Sequence, residues 1–230
     1  MDIHGFQKMT LLDYPGKVAC TIFTAGCNFR CPFCHNARLV TNCSPQERIG
    51  TDEILSYLKK RQGLLDGVCI TGGEPTLQRD LADFIRQIRA MGYAIKLDTN
   101  GSDPDTLSTL IEQGLLDYVA MDIKNTPEKY PLTVGLANFD LAPVEQSIQL
   151  LRQGTVDYEF RTTVVRELHT PEDVAAIAAW VSHAPRYFLQ PFVDSGELIG
   201  QGLHAPDAQT LEAMLSLARQ ILPQTAIRGA

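Results

Sequence analysis

No stretch of the 230-residue chain approaches the roughly 18 consecutive apolar residues that a membrane-crossing helix needs. The opening Met1-Asp2-Ile3-His4-Gly5 lacks a basic segment followed by an apolar one, so no signal peptide is expected and a cytoplasmic protein is. Positive charge is also scarce. Lysine and arginine total 20 against 27 acids, a formal charge of −7, which gives no general attraction to nucleic acid or to an anionic membrane. Disorder is excluded by the 44% share of hydrophobic residues, enough to fill a core. A chain of this length and even composition is expected to form a single domain over residues 1–230.

What the chain does have is cysteine, at positions 20, 27, 31, 34, 43 and 69. A full-sized domain without an export signal is a poor candidate for a disulfide framework. Three of the six fall within eight residues, Cys27-Asn-Phe-Arg-Cys31-Pro-Phe-Cys34, a cluster that points to metal or iron–sulfur ligation.

The hydrophobic pattern alternates regularly between strand and helix. Val18 to Thr24 reads as a strand leading into the cysteine loop, about residues 24–42, and Thr51 to Leu64 as an amphipathic helix started by Thr51-Asp52-Glu53. Gly67–Thr71, Ala94–Asp98, Asp117–Ile123, Asp157–Val165 and Arg186–Phe192 read as further strands. Helices are expected over Gln78–Met91, Asp103–Gln113, Pro143–Arg152, Pro171–Ser182 with Thr170 as cap, and Asp207–Ile221. Six β/α units imply an α/β fold with a parallel sheet covered by helices. Periodicity alone fits either a partial TIM-like barrel or an open doubly wound sheet.

Each expected strand ends in residues that make poor core and good chemistry. After the cysteine loop come Thr71-Gly72-Gly73-Glu74-Pro75, then Asp98-Thr99-Asn100-Gly101, then Asp122-Ile123-Lys124. In a parallel sheet such ends lie on one face, where ligands bind. Three thiolates can hold three irons of a 4Fe–4S cluster and leave the fourth open. The alternative is zinc, with Cys43 or His35 as fourth ligand, although these spacings are unusual for a zinc ribbon. Cys20 and Cys69 sit inside strands and read as core thiols. The two glycines at 72 and 73 would let a ligand approach the backbone and face its amides.

Cys27-x-x-x-Cys31-x-Phe33-Cys34 resembles the cluster motif of the radical S-adenosylmethionine (SAM) superfamily, and Gly72-Gly73-Glu74 resembles its SAM-amine turn. Asp13-Tyr14-Pro15-Gly16, Cys34-His35-Asn36, Asp98-Thr99-Asn100-Gly101, Met121 to Lys124 and Val134-Gly135-Leu136-Ala137-Asn138 resemble the glycyl-radical-enzyme activating enzymes. The opening Gly5 to Cys20 looks most like activating proteins of anaerobic ribonucleoside-triphosphate reductase, with pyruvate formate-lyase activating enzymes as close relatives. The resemblance implies a partial TIM-like barrel of six β/α units, the radical SAM core. It implies that Cys27, Cys31 and Cys34 bind a 4Fe–4S cluster whose fourth iron is chelated by SAM. An electron from flavodoxin or ferredoxin would then cleave SAM to methionine and a 5′-deoxyadenosyl radical, which takes a hydrogen atom from a glycine Cα of the partner.

By the same resemblance Phe33 and His35 lie near SAM, Gly72, Gly73 and Glu74 form the amine turn, and Asp122, Ile123 and Lys124 line the site. Asp98, Thr99 and Asp122 resemble a monovalent-cation site (Na⁺ or K⁺) beside the SAM carboxylate. Val193 departs from the pattern: pyruvate formate-lyase activators carry a histidine there, and valine cannot bond the ribose. Two other readings stand beside this one. One is a radical SAM enzyme acting on a small molecule, of the deazaguanine-synthase type; the other is a zinc-stabilised binding module with no catalytic role. The lone histidines 4, 169, 183 and 204 read as surface or packing residues, Trp180 as core, and Lys59-Lys60-Arg61 as a solvated helix face. Arg161 points either to the site or to the surface.

The ligand assignment predicts that Cys31→Ala abolishes reductive SAM cleavage while Cys69→Ala keeps the cluster absorbance. Cleavage at the unaltered rate by the first variant would refute it.

Overall fold

A computed structural model describes residues 1–229, in two compact units. The first comprises residues 1–28, 38–120 and 155–157, and the second 29–37, 121–154 and the residues from 158 onward.

In the first unit β1 (Ile3–Thr10) runs antiparallel to β2 (Ala19–Thr24). Strands β3 (Gly67–Gly72) and β4 (Ala94–Thr99) then add in parallel, followed by the start of β5 (Tyr118–Asp122). Helices α1 (Ala37–Thr41), α2 (Thr51–Lys59), α3 (Leu81–Arg89) and α4 (Pro104–Glu112) fill the crossovers. The parallel strands β2 to β4 are largely buried on both faces, as strands under helices are. Ile22, Ile70 and Leu97 share one register line and have no exposed surface. The neighbouring line on the other face reads Thr21, Cys69 and Lys96, a polar interior face. Helix α3 buries Leu81, Phe84, Ile85 and Ile88, the residues that its spacing predicts. Each such side chain contributes about 1.5–3 kcal/mol by leaving water.

The second unit takes over β5 at Met121 and continues through β6 (Asp157–Val164), β7 (Tyr187–Pro191) and β8 (Thr225–Ile227), with β6, β7 and β8 parallel. Its helices are α5 (Tyr130–Val134), α6 (Ala142–Arg152), α7 (Pro171–Trp180) and α8 (Ala208–Ile221). Six β/α units are thus present, as expected, and the class is α/β with parallel strands. No helix among the described residues is long and apolar enough to cross a membrane.

Several boundaries differ from the sequence expectation. Helix α2 stops at Lys59, and the turn that follows includes Gly63 with a left-handed φ of 78°. Its cap is Gly50, and Thr51 is already helical. Helix α3 starts at Leu81, after a 3-10 turn begun by Pro75. Strand β1 was not expected; only its ends, Ile3 and Thr10, are buried, so no alternation marks it. The short α1, α5 and β8 also lack periodicity long enough to read. Trp180 is half-buried, its ring 6.0 Å from Tyr130 in an edge contact.

Thr170 caps α7 in a reciprocal box with Asp173. Thr170→Ala should therefore lower the unfolding free energy by about 1 kcal/mol, read as a shift in the urea midpoint.

Candidate functional site

In the first unit the ends of β2, β3 and β4 are bound to one another by backbone and side chain. Gly73 N–H donates to Thr24 C=O at 2.8 Å and Glu74 N–H to Gly26 C=O at 2.7 Å. A Cβ on Gly72 would lie 2.4 Å from Thr24 N and O, and one on Gly73 1.9 Å from Gly26 O. Gly72 also has a φ of 119°, which favours glycine. These glycines admit the chain's own backbone at close range. The amides of Gly73 and Glu74 are donated within the chain, and an ammonium ligand, which is a donor only, would need oxygen acceptors here.

Glu74 has no exposed surface. Its Oε1 accepts from Thr76 N–H at 3.1 Å, Thr76 Oγ1 at 2.7 Å and Thr99 Oγ1 at 2.8 Å, and its Oε2 from Asn100 N–H at 2.7 Å. Burial pushes its carboxyl pKa up, and the four donors pull against that. Its place is an internal tie between the β3 and β4 turns. Asn100 extends the tie: its Nδ2 lies 3.7 Å from Cys27 Sγ and 3.0 Å from Asn28 Oδ1. A side-chain donor aimed at the first cysteine was not legible in the sequence. Asp98 is ion-paired with Lys96 of the same strand face, a lysine that sequence reading passed over. Cys43 donates to Leu39 C=O at 3.0 Å, and Cys20 is a fully buried thiol with its pKa raised by burial to about 12. The Asp13-Tyr14-Pro15-Gly16 turn packs at the opposite ends of these strands, with Tyr14 buried against Tyr118.

In the second unit Cys34 N–H donates to Cys31 C=O at 3.1 Å, so these two cysteines share a tight turn with buried Phe33 between them. The loop is pinned where Arg30 N–H reaches Val134 C=O at 2.8 Å, giving the Val134-Gly135 motif its role. His35 is exposed, its ring centroid 5.8 Å from that of Phe192. Burial lowers its pKa and the Lys124 charge adds to the effect. Asp122 accepts from Lys124 Nζ at 3.0 Å through Oδ2 and from Arg161 Nε at 2.9 Å through Oδ1. Burial would raise the Asp122 pKa, yet Arg161 and Lys124 outweigh it and hold the carboxyl at about 2. Burial would lower the Lys124 pKa, and Asp122 raises it further than that, aided by Cys31. Arg161 thus faces the site.

Ile123 is fully buried, and its N–H and C=O pair with Arg161 C=O and Thr162 Oγ1, each at 2.8 Å. These bonds tie β5 to β6 beside Asp122 and Lys124. His169, read as bland, is buried: it accepts from Val165 N–H through Nδ1 at 3.1 Å and donates through Nε2 to Lys124 C=O at 2.8 Å. Burial lowers its pKa, in keeping with a neutral ring. Val193 is 59% exposed beyond β7.

All six cysteines are thiols. Among the described residues no three His, Cys, Asp or Glu side chains are drawn together as a metal-holding group. Cys27 belongs to the first unit and Cys31 and Cys34 to the second. The groups beside these cysteines suit iron–sulfur ligation: an amide donor at the Cys27 sulfur, and a lysine ammonium whose charge acts on both Cys31 and Cys34.

Glu74→Ala leaves four donors buried without an acceptor and should cost about 2–4 kcal/mol of unfolding free energy in urea. An unchanged midpoint would show that these bonds do not hold the two turns.

Comparison with known proteins bears on this arrangement. The profile of the radical SAM superfamily matches residues 21–181, well over half of the chain. A Methanocaldococcus jannaschii protein, provisionally named a glycyl-radical enzyme activating enzyme, is 30% identical over 98% of this chain and 95% of its own. The pyruvate formate-lyase-activating enzyme of Listeria monocytogenes is 27% identical over 80% of this chain and 77% of its own. The 7-carboxy-7-deazaguanine synthase of Hyperthermus butylicus is 31% identical over 51% of this chain and 48% of its own. Among solved structures, Streptococcus suis SuiB bound to its precursor peptide SuiA aligns with a TM-score of 0.72 over 91% of this chain and 48% of that one, at 13% identity, and so shares the fold. The chain belongs to the radical SAM superfamily, which uses a 4Fe–4S cluster and SAM, and within it to the glycyl-radical-enzyme activating enzymes.

Proposed function

We propose that this enzyme abstracts a Cα hydrogen from a glycine of anaerobic ribonucleoside-triphosphate reductase in the cytoplasm, with flavodoxin or ferredoxin as electron donor. The observation that carries the activase reading is the likeness to an activating enzyme over nearly the full length of both chains. The Gly5 to Cys20 opening supports the reductase as partner, and Val193 in place of histidine counts against pyruvate formate-lyase.

Cys27, Cys31 and Cys34 would hold the 4Fe–4S cluster beside bound SAM. When bound, the cluster would supply the electron for reductive cleavage of SAM, the source of the radical that removes the glycine hydrogen. The protein's share is binding, orientation and charge balance. Asn100 stabilises negative charge on the Cys27 sulfur, and Lys124 does so for Cys31 and Cys34. The Gly73 carbonyl takes the SAM ammonium, which is a donor only and needs an oxygen acceptor. Phe33 and His35 flank the cofactor, and Lys124, fixed by Asp122 and by the His169 bond to its carbonyl, presents a charge that does not titrate at neutral pH.

Anaerobically reconstituted enzyme, reduced flavodoxin, SAM and the reductase should give the doublet EPR signal of a glycyl radical. Formation of 5′-deoxyadenosine without that signal on any glycyl radical enzyme would favour a small-molecule substrate of the deazaguanine type. About one zinc per chain, with neither iron nor sulfide, would leave only a binding module.

A further inference from the structure

Between β7 and α8, in the second unit, residues 192–207 form neither helix nor strand. A connection of that length in a packed fold usually has a use of its own. Most of its side chains are exposed, so their burial does not hold it down. Contacts at three points do. At its start Phe192 is buried beside the His35 ring, and its N–H donates to Val164 C=O at 3.0 Å. At its end His204 donates to the Glu167 carboxylate through its backbone N–H and through Nδ1, each at 2.8 Å. In the middle Gly200 N–H donates to Pro32 C=O at 2.8 Å.

The middle contact falls on the turn that carries two of the three clustered cysteines. Pro32 follows Cys31 directly, and Cys34 N–H closes the turn on Cys31 C=O. The approach is as close as backbone allows. A Cβ on Gly200 would stand 2.6 Å from Pro32 Cβ and 3.1 Å from Pro32 O, a ring atom and a backbone atom that cannot swing aside. Gly200 is not among the glycines with positive φ, so the close approach, and not the backbone conformation, requires glycine here. On the other side of Cys31, Arg30 N–H is bound to Val134 C=O at 2.8 Å. Both chain neighbours of this buried cysteine are therefore tied to distant segments, which fixes the direction of the Cys31 side chain before any iron arrives.

We propose that Gly200 is a positioning residue for the cluster: its close approach to Pro32 clamps the Cys31–Cys34 turn and presets both thiolates for iron. The proposal rests on the iron–sulfur reading above. It gives the exposed β7–α8 segment a task that no larger residue at position 200 performs.

Gly200→Ala and Gly200→Val test this, with Gly196→Ala as the control. Gly196 lies in the same segment with a left-handed φ of 80° and open space where its Cβ would go, so alanine there strains the segment without pressing on the turn. In urea the metal-free Gly200 variants should unfold at the wild-type midpoint. After anaerobic reconstitution they should lose iron to a chelator about tenfold faster than the wild type, the size of effect expected when a group supporting a metal ligand is displaced. The EPR g values of their reduced cluster should shift, a signature that loss of stability alone does not produce. The control should match the wild type in iron release and in g values. Wild-type iron release by both Gly200 variants overturns the proposal, as does equally fast release by Gly196→Ala. A lowered urea midpoint, or failure of both variants to fold, overturns it too, because Gly200 would then be holding the fold and not the cluster turn. A wild type that takes up no iron and sulfide defeats the cluster reading and this inference with it; a wild type that holds its cluster no better than Gly200→Val defeats this inference alone.

Discussion

Charged side chains withdrawn from water at the strand ends need a partner of their own, and the rest of the site depends on how each one finds it. Glu74 is surrounded by hydroxyl and amide donors, Asp98 is matched by Lys96, and Asp122 by Lys124 and Arg161. Taking one member of such a set away leaves an uncompensated charge in a medium that solvates it poorly. The turns carrying these residues are consequently fixed before any ligand arrives, which is the condition for a site that orients a cofactor rather than being shaped by it.

The same constraint sorts the residues of the superfamily motifs into two kinds. Glu74, Ile123, Gly72 and much of the Asp-Thr-Asn-Gly turn are used up in internal bonds and close backbone approach. Within the second unit the Cys31–Cys34 loop and Lys124 are held by the Arg30–Val134 and His169–Lys124 contacts. A motif is therefore not a roll of ligand contacts. Part of it is the frame that sets the other part in position.

The six β/α units were legible because parallel strands and amphipathic helices each carry a period, and α3 buried the four residues its spacing named. The elements that escaped, β1, α1, α5 and β8, are short or exposed along most of their length, so no period builds up. Cap assignment also depended on geometry: Asp103, Thr170 and Asp207 cap as composition suggests, whereas at α2 the glycine before Thr51 does so.

By itself, the sequence determined the chemistry: the cysteine spacing, the Gly-Gly-Glu turn and the strand-end acids name a radical SAM enzyme, because ligand type and spacing are local properties of a chain. Only the tertiary structure decided what each polar group does with its valences. That Glu74 is an internal tie, that Asn100 faces a cysteine sulfur, that His169 holds the Lys124 carbonyl and that Lys96 sits beside Asp98 are consequences of which strand lies next to which. Residues 26 or 45 positions apart in the chain, such as Glu74 with Asn100 and Lys124 with His169, meet only through that packing, and no local pattern records it.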